Sequence, residues 1–140
     1  MNYATAADLR ERYGDKVDTL IEVKTPEGFL PDERKLDQAL MDASALIDSY
    51  LSGRYLLPLS VVPRVLMQQC CTIAYYYLND ERATDQVVQR YKDALRWLAD
   101  VKRGEIAIGT DSDDRVPESG DLPVVYAEKA VFGRNQKGFV

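Results

Sequence analysis

Residues 47–59 decide the fold and read Ile47-Asp48-Ser49-Tyr50-Leu51-Ser52-Gly53-Arg54-Tyr55-Leu56-Leu57-Pro58-Leu59. The stretch indicates the last turns of an amphipathic helix, a glycine, and then an apolar strip. A glycine just past a helix adopts a left-handed conformation without strain from a Cβ, so Gly53 is predicted to end the helix. The strip is too apolar for a free loop. Its large side chains are therefore expected to be buried against this subunit or against another one: Tyr55, Leu56, Leu57 and Leu59.

The helix before this strip is predicted to begin at Asp32, whose side chain can cap the first turn. Apolar residues recur along it at steps of four and three residues, the spacing that places side chains on one helical face. They are Leu36, Leu40, Ala43, Ile47 and Tyr50.

Two further long helices are predicted after the strip. The first begins at Pro63, where the missing N–H of proline costs nothing, and runs to about Leu78. Its apolar residues cover far more than one stripe, which is typical of a helix that lies at the centre of a fold or is covered by another subunit. The second is capped by Thr84 and ends at Gly104.

Two short helices precede the long ones. Thr5 and Asp8 have the spacing of a capping box, and the helix that they open is predicted to run to about Tyr13. Gly14 ends it, and a second short helix follows. The stretch Thr25-Pro26-Glu27-Gly28 is a turn by composition.

The sequence therefore predicts an all-α protein, a small bundle of about three long and two short helices with an extended C-terminal arm. Residues 1–108 are assigned to the helical domain. From residue 109 to residue 123 the composition shifts to glycine, proline and acidic residues, which is typical of a flexible loop. Residues 109–140 are therefore predicted to form an acidic loop and the arm.

The composition excludes several kinds of site. The 140-residue chain contains no histidine, so nucleophile systems that need an imidazole base cannot form within one chain. There is no glycine-rich nucleotide motif. Cys70 and Cys71 have no basic residue beside them in sequence, so they are interpreted as core residues and not as reactive thiols. We expect no enzyme activity, no cofactor and no metal.

Charge and hydropathy restrict the partners. The formal net charge is -5, and no basic cluster of the kind that binds nucleic acid is present, so tight nucleic-acid binding is not expected. No window approaches the roughly 18 unbroken apolar residues of a membrane span. The segment from Met1 to Arg12 is polar and charged, unlike a signal peptide. The chain is expected not to enter a membrane, and to stay in the cytoplasm or in an assembly made there.

Two features of the sequence are candidates for protein contact. Three successive tyrosines, Tyr75-Tyr76-Tyr77, cannot all face one core on a helix. Two interpretations stay open: a binding surface, or Tyr77 in the core with Tyr75 and Tyr76 at its rim. Arg54 is the polar group inside the apolar strip, and it is predicted to make charge-assisted hydrogen bonds to a neighbour.

Three blocks of the chain together carry a family resemblance. They are Tyr3-Ala4-Thr5-Ala6-Ala7-Asp8-Leu9-Arg10-Glu11-Arg12-Tyr13-Gly14, then residues 39–59, and then Arg90-Tyr91-Lys92-Asp93-Ala94-Leu95-Arg96-Trp97-Leu98 followed by residues 104–109. In this order they resemble a family of small head–tail connector (neck) proteins of Mu-like phages. The ending from Arg134 to Phe139 is similar as well, whereas the acidic stretch 109–123 departs from the pattern.

The resemblance implies a non-enzymatic structural role in the virion neck, with the protein made in the cytoplasm of a bacterial host. Such an adaptor forms a ring below the portal of a tailed-phage head, extends the DNA channel, and contacts other neck or tail proteins. The isolated chain is expected to be a monomer. The residues predicted for its protein interfaces are Arg54, Tyr55, Leu57, Tyr75, Tyr76, Phe132 and Phe139.

Two alternatives come from other classes of protein. One is a small helical regulatory protein that binds a host protein or DNA, and the acidic total weakens the DNA version. The other is an enzyme with a cavity between the long helices, which the absence of histidine and of a nucleotide motif makes the weakest interpretation.

Overall fold

The computed structural model describes residues 2–109 and 116–119 of the 140-residue chain. Within them, two short helices lead into a hairpin and three long helices. The elements are α1 (Ala6–Tyr13), α2 (Asp15–Leu20), β1 (Glu22–Thr25), β2 (Gly28–Pro31), α3 (Glu33–Leu51), α4 (Arg64–Asn79) and α5 (Asp85–Arg103), with a 3₁₀ turn (Asp80–Arg82) after α4. The prediction of a mainly helical protein is therefore confirmed.

Side-chain caps begin three helices where the sequence predicted them. The Thr5 hydroxyl accepts from the Asp8 N–H at 3.2 Å, and the Asp8 carboxylate accepts from the Thr5 N–H at 2.9 Å. Asp32 caps α3 and Thr84 caps α5. Each cap pairs an amide that the first helical turn would leave without a partner, which is worth about 1 kcal/mol.

The ends of α3 and α5 differ in how the chain leaves the helix. Gly104 ends α5 in a left-handed conformation with φ of +79°, as predicted. Gly53 does not have the predicted role, because α3 ends at Leu51 and Gly53 has no positive φ. Instead, the N–H groups of Arg54 and Tyr55 both donate to the Leu51 carbonyl at 2.9 Å. Backbone hydrogen bonds, and not a left-handed glycine, turn the chain into the apolar strip.

A two-stranded hairpin corrects the all-α prediction. β1 and β2 pair antiparallel, with Val23 opposite Leu30 and Lys24 opposite Phe29. The turn at residues 25–28 is confirmed, and the Thr25 hydroxyl closes it by donating to the Gly28 carbonyl at 2.7 Å. Strands of four residues offer too few alternating positions to be recognised beside a clear turn signal, so the sequence interpretation missed them.

Helix α4 lies at the centre of the fold, which is one of the two positions that its apolar surface predicted. It packs against both α3 and α5, and α1 and α2 also contact it. These contacts enclose one hydrophobic core, to which every helix from α1 to α5 contributes. The largest fully buried side chains are Leu9, Val17, Ile21, Leu36, Leu40, Ile47, Leu51, Leu66, Ile73, Leu98, Val101 and Ile108.

Tyr3 anchors the segment before α1 onto α3. Its N–H donates to the hydroxyl of Ser44 at 3.0 Å, and its phenol donates to the Asp48 carboxylate. Ser44 is buried and also lies 3.5 Å from the Cys70 sulfur. A buried polar group is stable only when it is hydrogen-bonded, so these bonds fix the register of α1 on the core.

The chain returns to the apolar strip after α5. Ser119 forms an antiparallel bridge with Tyr55, and the Leu56 N–H donates to the Glu118 carbonyl at 3.2 Å. The first part of the predicted arm therefore contacts the helical domain. Residues 120–140 lie outside the described residues, so the division at residue 108 stays a prediction.

The buried thiol of Cys71 should make the stability of the fold depend on pH. Burial is the main effect that raises the pKa of Cys71 to about 12, whereas an unfolded thiol ionises near about pH 8.5. Between about pH 9 and pH 12 the unfolded chain releases a proton that the folded chain keeps, so stability present below this window is lost as pH rises. We expect the urea midpoint to fall with pH and Cys71→Ala to flatten that dependence.

Ile73→Val is the matched control, because Ile73 is another fully buried residue of α4 that does not titrate. It should lower the midpoint by a similar cavity effect, about 1 kcal/mol, and leave the pH slope unchanged. The same slope in Cys71→Ala as in the unsubstituted chain would contradict the assignment.

Candidate functional site

The apolar strip after α3 is buried only in part. Leu59 is buried, and Tyr55 and Leu57 are half-buried against the core. Leu56 is 54% exposed, so this subunit does not bury it, and its burial against another subunit stays a prediction. The strip alternates between the core and the surface because Tyr55 and Leu56 pair with residues 118–119 along one edge.

Arg54 lies across the C-terminal end of α5. Its Nη2 donates to the Arg103 carbonyl at 3.5 Å, and its guanidinium lies where a side chain on Gly104 would have to be. The positive charge is thus at the negative end of the helix dipole. Within the described residues, the buried Nε of Arg54 has no hydrogen-bond partner. The guanidinium therefore joins the strip to α5 and keeps a donor that no described group uses.

Arg54 lies at the surface among both polar and apolar residues. Arg54, Tyr55, Gly104 and Ser119 line a shallow cavity of about 260 Å³ together with residues 105–107. Leu56, Ile106 and Val116 are exposed large hydrophobic residues of the segments that meet here. We call this combination of one cation and exposed apolar side chains the Arg54 site. Arginine surrounded by apolar contact area is the composition of an interface hot spot.

The three tyrosines of α4 contact tyrosines of two other helices, α1 and α5. Tyr75 is buried and stacks on Tyr13 of α1, with 3.7 Å between the ring centroids and 3° between their planes. Tyr76 is half-buried and stacks on Tyr91 of α5 at 3.9 Å. Tyr77 is also half-buried. The interpretation with Tyr77 in the core and Tyr75 at the rim is therefore wrong, because α1 covers the side of α4 that carries Tyr75.

A groove of about 850 Å³ lies between α2, the first half of α3 and the end of α4. Its apolar lining is Leu20, Ala39, Tyr77 and Leu78. Around these residues it carries more acidic than basic side chains. The acids are Glu22, Asp32, Asp42, Asp80 and Glu81, and the basic residues are Arg34, Lys35 and Arg82. We call this feature the acidic groove.

Basic side chains balance part of the negative charge of the acidic groove, and acidic residues remain in excess. Arg34 pairs with Asp32 at 3.2 Å, and that bond holds the Asp32 pKa below its usual range. Burial, with Tyr91 and Asp42 adding to it, raises the pKa of Tyr77 to about 12. A hydrogen bond with Tyr91 also contributes to this rise, so the Tyr77 hydroxyl is joined to α5.

The hairpin places two large apolar residues in solvent. Phe29 is 67% exposed and Leu30 is 45% exposed, although Leu30 is opposite the half-buried Val23. A two-stranded hairpin is marginal by itself, and a second protein surface that covers it would add to its stability. Sequence reasoning missed both the groove and the hairpin. The available signal was the apolar pair Phe29-Leu30 directly after a turn.

The remaining predicted residues and sites have simple outcomes. Phe132 and Phe139 lie outside the described residues, so their predicted contacts stay predictions. Among residues 2–109 and 116–119, no three or more cysteines, aspartates or glutamates are grouped as metal ligands would be. None of the described helices is both long enough and apolar enough to span a membrane.

The fold and these surfaces define a small, mainly helical protein whose notable features are exposed apolar and charged contact surfaces. The family model "Bacteriophage Mu, Gp36" matches residues 3–126. The chain therefore belongs to the bacteriophage Mu gp36 family, and it is a phage or prophage protein.

Two relatives match the chain over essentially its full length. It is 46% identical over 142 residues to "Gene product J" of Escherichia phage Mu, with 100% of both chains covered. It is also 46% identical over 139 residues to "Mu-like prophage FluMu protein gp36" of Haemophilus influenzae, covering 99% of this chain and 98% of the relative. The Mu-phage part of the sequence resemblance is thus confirmed, and the head–tail connector role stays a prediction.

Gly104→Ala tests the packing of the Arg54 site. An alanine at φ of +79° is strained by about 1–2 kcal/mol, and its Cβ would displace the Arg54 guanidinium. We expect the free energy of unfolding in urea to fall by at least this strain.

Gly53→Ala is the control, since Gly53 has no positive φ and nothing lies within 4 Å of the position that an alanine methyl group would occupy there. It should be neutral or slightly stabilising, by about 0.5 kcal/mol, because alanine restricts the unfolded chain. Equal losses in the two variants would rule out the described geometry of Gly104.

Proposed function

We propose that this chain is a structural head–tail connector of a tailed phage or prophage, which assembles in the virion neck below the portal. The observation that carries the proposal is that a member of a Mu-phage family exposes large apolar side chains on two different parts of its surface. These are the hairpin, with Phe29 and Leu30, and the Arg54 site, with Leu56 and Val116. The role is non-enzymatic and needs no cofactor.

The exposed side chains favour contact with other proteins. Covering a large apolar side chain yields about 1.5–3 kcal/mol, so a few such residues supply a substantial part of an interface. A closed ring is built from a head-to-tail contact between two different surfaces of each subunit. The hairpin and the Arg54 site belong to different segments of the chain, and they are candidates for such contact surfaces.

The Arg54 site supplies the polar part of the proposed interface. Its guanidinium is half-buried at a shallow cavity that Tyr55 and Ile106 also line. A carboxylate or backbone carbonyl on a partner would accept a charge-assisted hydrogen bond from the accessible part of the Arg54 guanidinium. The proposed partners are further copies of this chain, the portal, and other neck or tail proteins. Isolated chains are proposed to be monomers that assemble on the portal, without tight nucleic-acid binding and without a membrane.

Phe29→Ser tests the proposal on the hairpin. Because Phe29 is mostly exposed, its replacement should change the free energy of unfolding by only about 0.5 kcal/mol. It should nevertheless strongly reduce association with the portal of the same phage, because a partner loses the covered apolar area. Association is measured by mass and by electron microscopy of the mixture of the full chain with the portal.

Lys24→Ser is the matched control, because Lys24 is the exposed cross-strand neighbour of Phe29 on the same hairpin. It should leave association nearly unchanged. No association of the unsubstituted chain with the portal would count against a connector. Tight, steeply salt-dependent binding to DNA would instead favour a regulatory protein.

A further inference from the structure

The acidic groove has an apolar lining that the described residues cover only in part. Leu20, Tyr77 and Leu78 are half-buried, so each of them leaves some apolar surface accessible along the groove. The volume of the groove is about 850 Å³. Clefts of about 300–1,000 Å³ enclose a drug-sized ligand. The groove is therefore large enough to take a short stretch of peptide.

Exposed carboxylates surround this apolar lining. Asp32 pairs with Arg34, and Lys35 and Arg82 also lie at the groove. The other acidic residues of the groove are exposed and form no ion pair within the described residues: Glu22, Asp42, Asp80 and Glu81. A ligand that combines positive charge with a large apolar side chain complements this composition.

Residues 129–140 of the chain have the complementary composition. They read Lys129-Ala130-Val131-Phe132-Gly133-Arg134-Asn135-Gln136-Lys137-Gly138-Phe139-Val140. The segment contains three basic residues, no acidic residue and two of the three phenylalanines, although the whole chain has a formal net charge of -5. One glycine separates each phenylalanine from a basic residue, in Phe132-Gly133-Arg134 and in Lys137-Gly138-Phe139. Each of these stretches offers an aromatic ring and a positive charge close together.

The position of Ser119 allows this segment to reach the groove of its own chain. Ser119 bridges Tyr55, which follows the C-terminal end of α3. Among the groove residues of α3, Asp42 is nearest to that end, and the helix from there to Leu51 is about 14 Å long at about 1.5 Å per residue. Residues 119–129 span up to about 33 Å when fully extended. The length of chain before the segment is therefore sufficient.

We propose that residues 129–140 bind in the acidic groove of the same chain, with phenylalanine on the apolar lining and basic side chains on the exposed carboxylates. The contact is separate from the connector role and does not require it. Because the segment is tethered, its effective concentration at the groove is about millimolar, so even a weak contact is populated. A nucleic acid is disfavoured as the occupant, because the groove carboxylates repel its phosphates.

Cross-linking within the full chain tests the contact without removing the side chains that form it. Thr19→Cys places a thiol in the groove, and Asn135→Cys places one between the two stretches that contain phenylalanine. Thr19 is exposed, whereas Cys70 and Cys71 are fully buried. The dilute double variant is treated with a short bismaleimide and digested. We expect the two peptides with the introduced cysteines to be linked in protein of monomer mass.

Ser49→Cys replaces Thr19→Cys in the control, because Ser49 is an exposed residue of α3 that does not line the groove. Ser49 is closer along α3 to the point where Ser119 meets Tyr55, so a segment that only diffuses would link to it at least as often. We expect about tenfold less linkage than at Thr19. Gln38→Cys, in another exposed groove residue, should link as Thr19→Cys does and replaces it if that variant folds poorly.

Charge and aromatic variants identify the side chains that hold the segment. In the original double variant, adding Glu81→Arg should lower the linked yield about threefold, the scale of one exposed ion pair, and adding Arg134→Glu as well should restore part of it. Glu27→Arg is the charge control, because Glu27 is exposed and lies outside the groove. Replacing Phe132 and Phe139 together by serine should lower the yield about tenfold, because the apolar lining is no longer covered.

Other results contradict the contact in distinct ways. Equal linkage at Thr19 and at Ser49 would show that the segment does not bind the groove. Equally strong linkage in a mixture of chains with only Thr19→Cys and chains with only Asn135→Cys would assign the groove to a second copy. A yield that neither Glu81→Arg nor the loss of both phenylalanines lowers would reject the proposed contacts. No portal is present in these samples, so the connector proposal keeps its own separate test.

Discussion

The burial of α4 is the constraint on which the rest of this structure depends. This helix carries no acidic residue and is apolar on nearly all sides, so it is stable only when other elements enclose it. α3 and α5 pack against it, and α1 and α2 complete the enclosure. Its position then fixes its surroundings, because the acidic groove forms at its C-terminal end, and Tyr75 and Tyr76 stack on tyrosines of α1 and α5.

The helices were predictable because their signals are local. A cap such as Thr84, a repeated apolar spacing and a terminal glycine such as Gly104 all act within one element. The orientation of Tyr75 and Tyr77 was not predictable, because it depends on which side of α4 is covered by α1, a contact distant in sequence. The acidic groove is assembled from separate elements for the same reason, so no single stretch of sequence reveals it.

The functional interpretation depends on what one subunit leaves uncovered. The core is complete, yet Phe29 and Leu56 remain in solvent on separate segments. Exposed apolar surface promotes nonspecific association, and a chain that retains it has a use for it. Contact with other proteins, as in the proposed connector role, is a direct physical use of such surface. The Arg54 site makes such contact selective, because a guanidinium forms strong hydrogen bonds only with a partner whose acceptor atoms are correctly placed.

Hydrogen exchange of the backbone amides, compared between the free chain and the chain mixed with its portal, measures most directly whether neighbours cover these surfaces. The account predicts that amides of β2 and of residues 54–57 become protected in the mixture, while amides of the central part of α4 stay equally slow in both samples. A stable complex in which neither segment gains protection would contradict it.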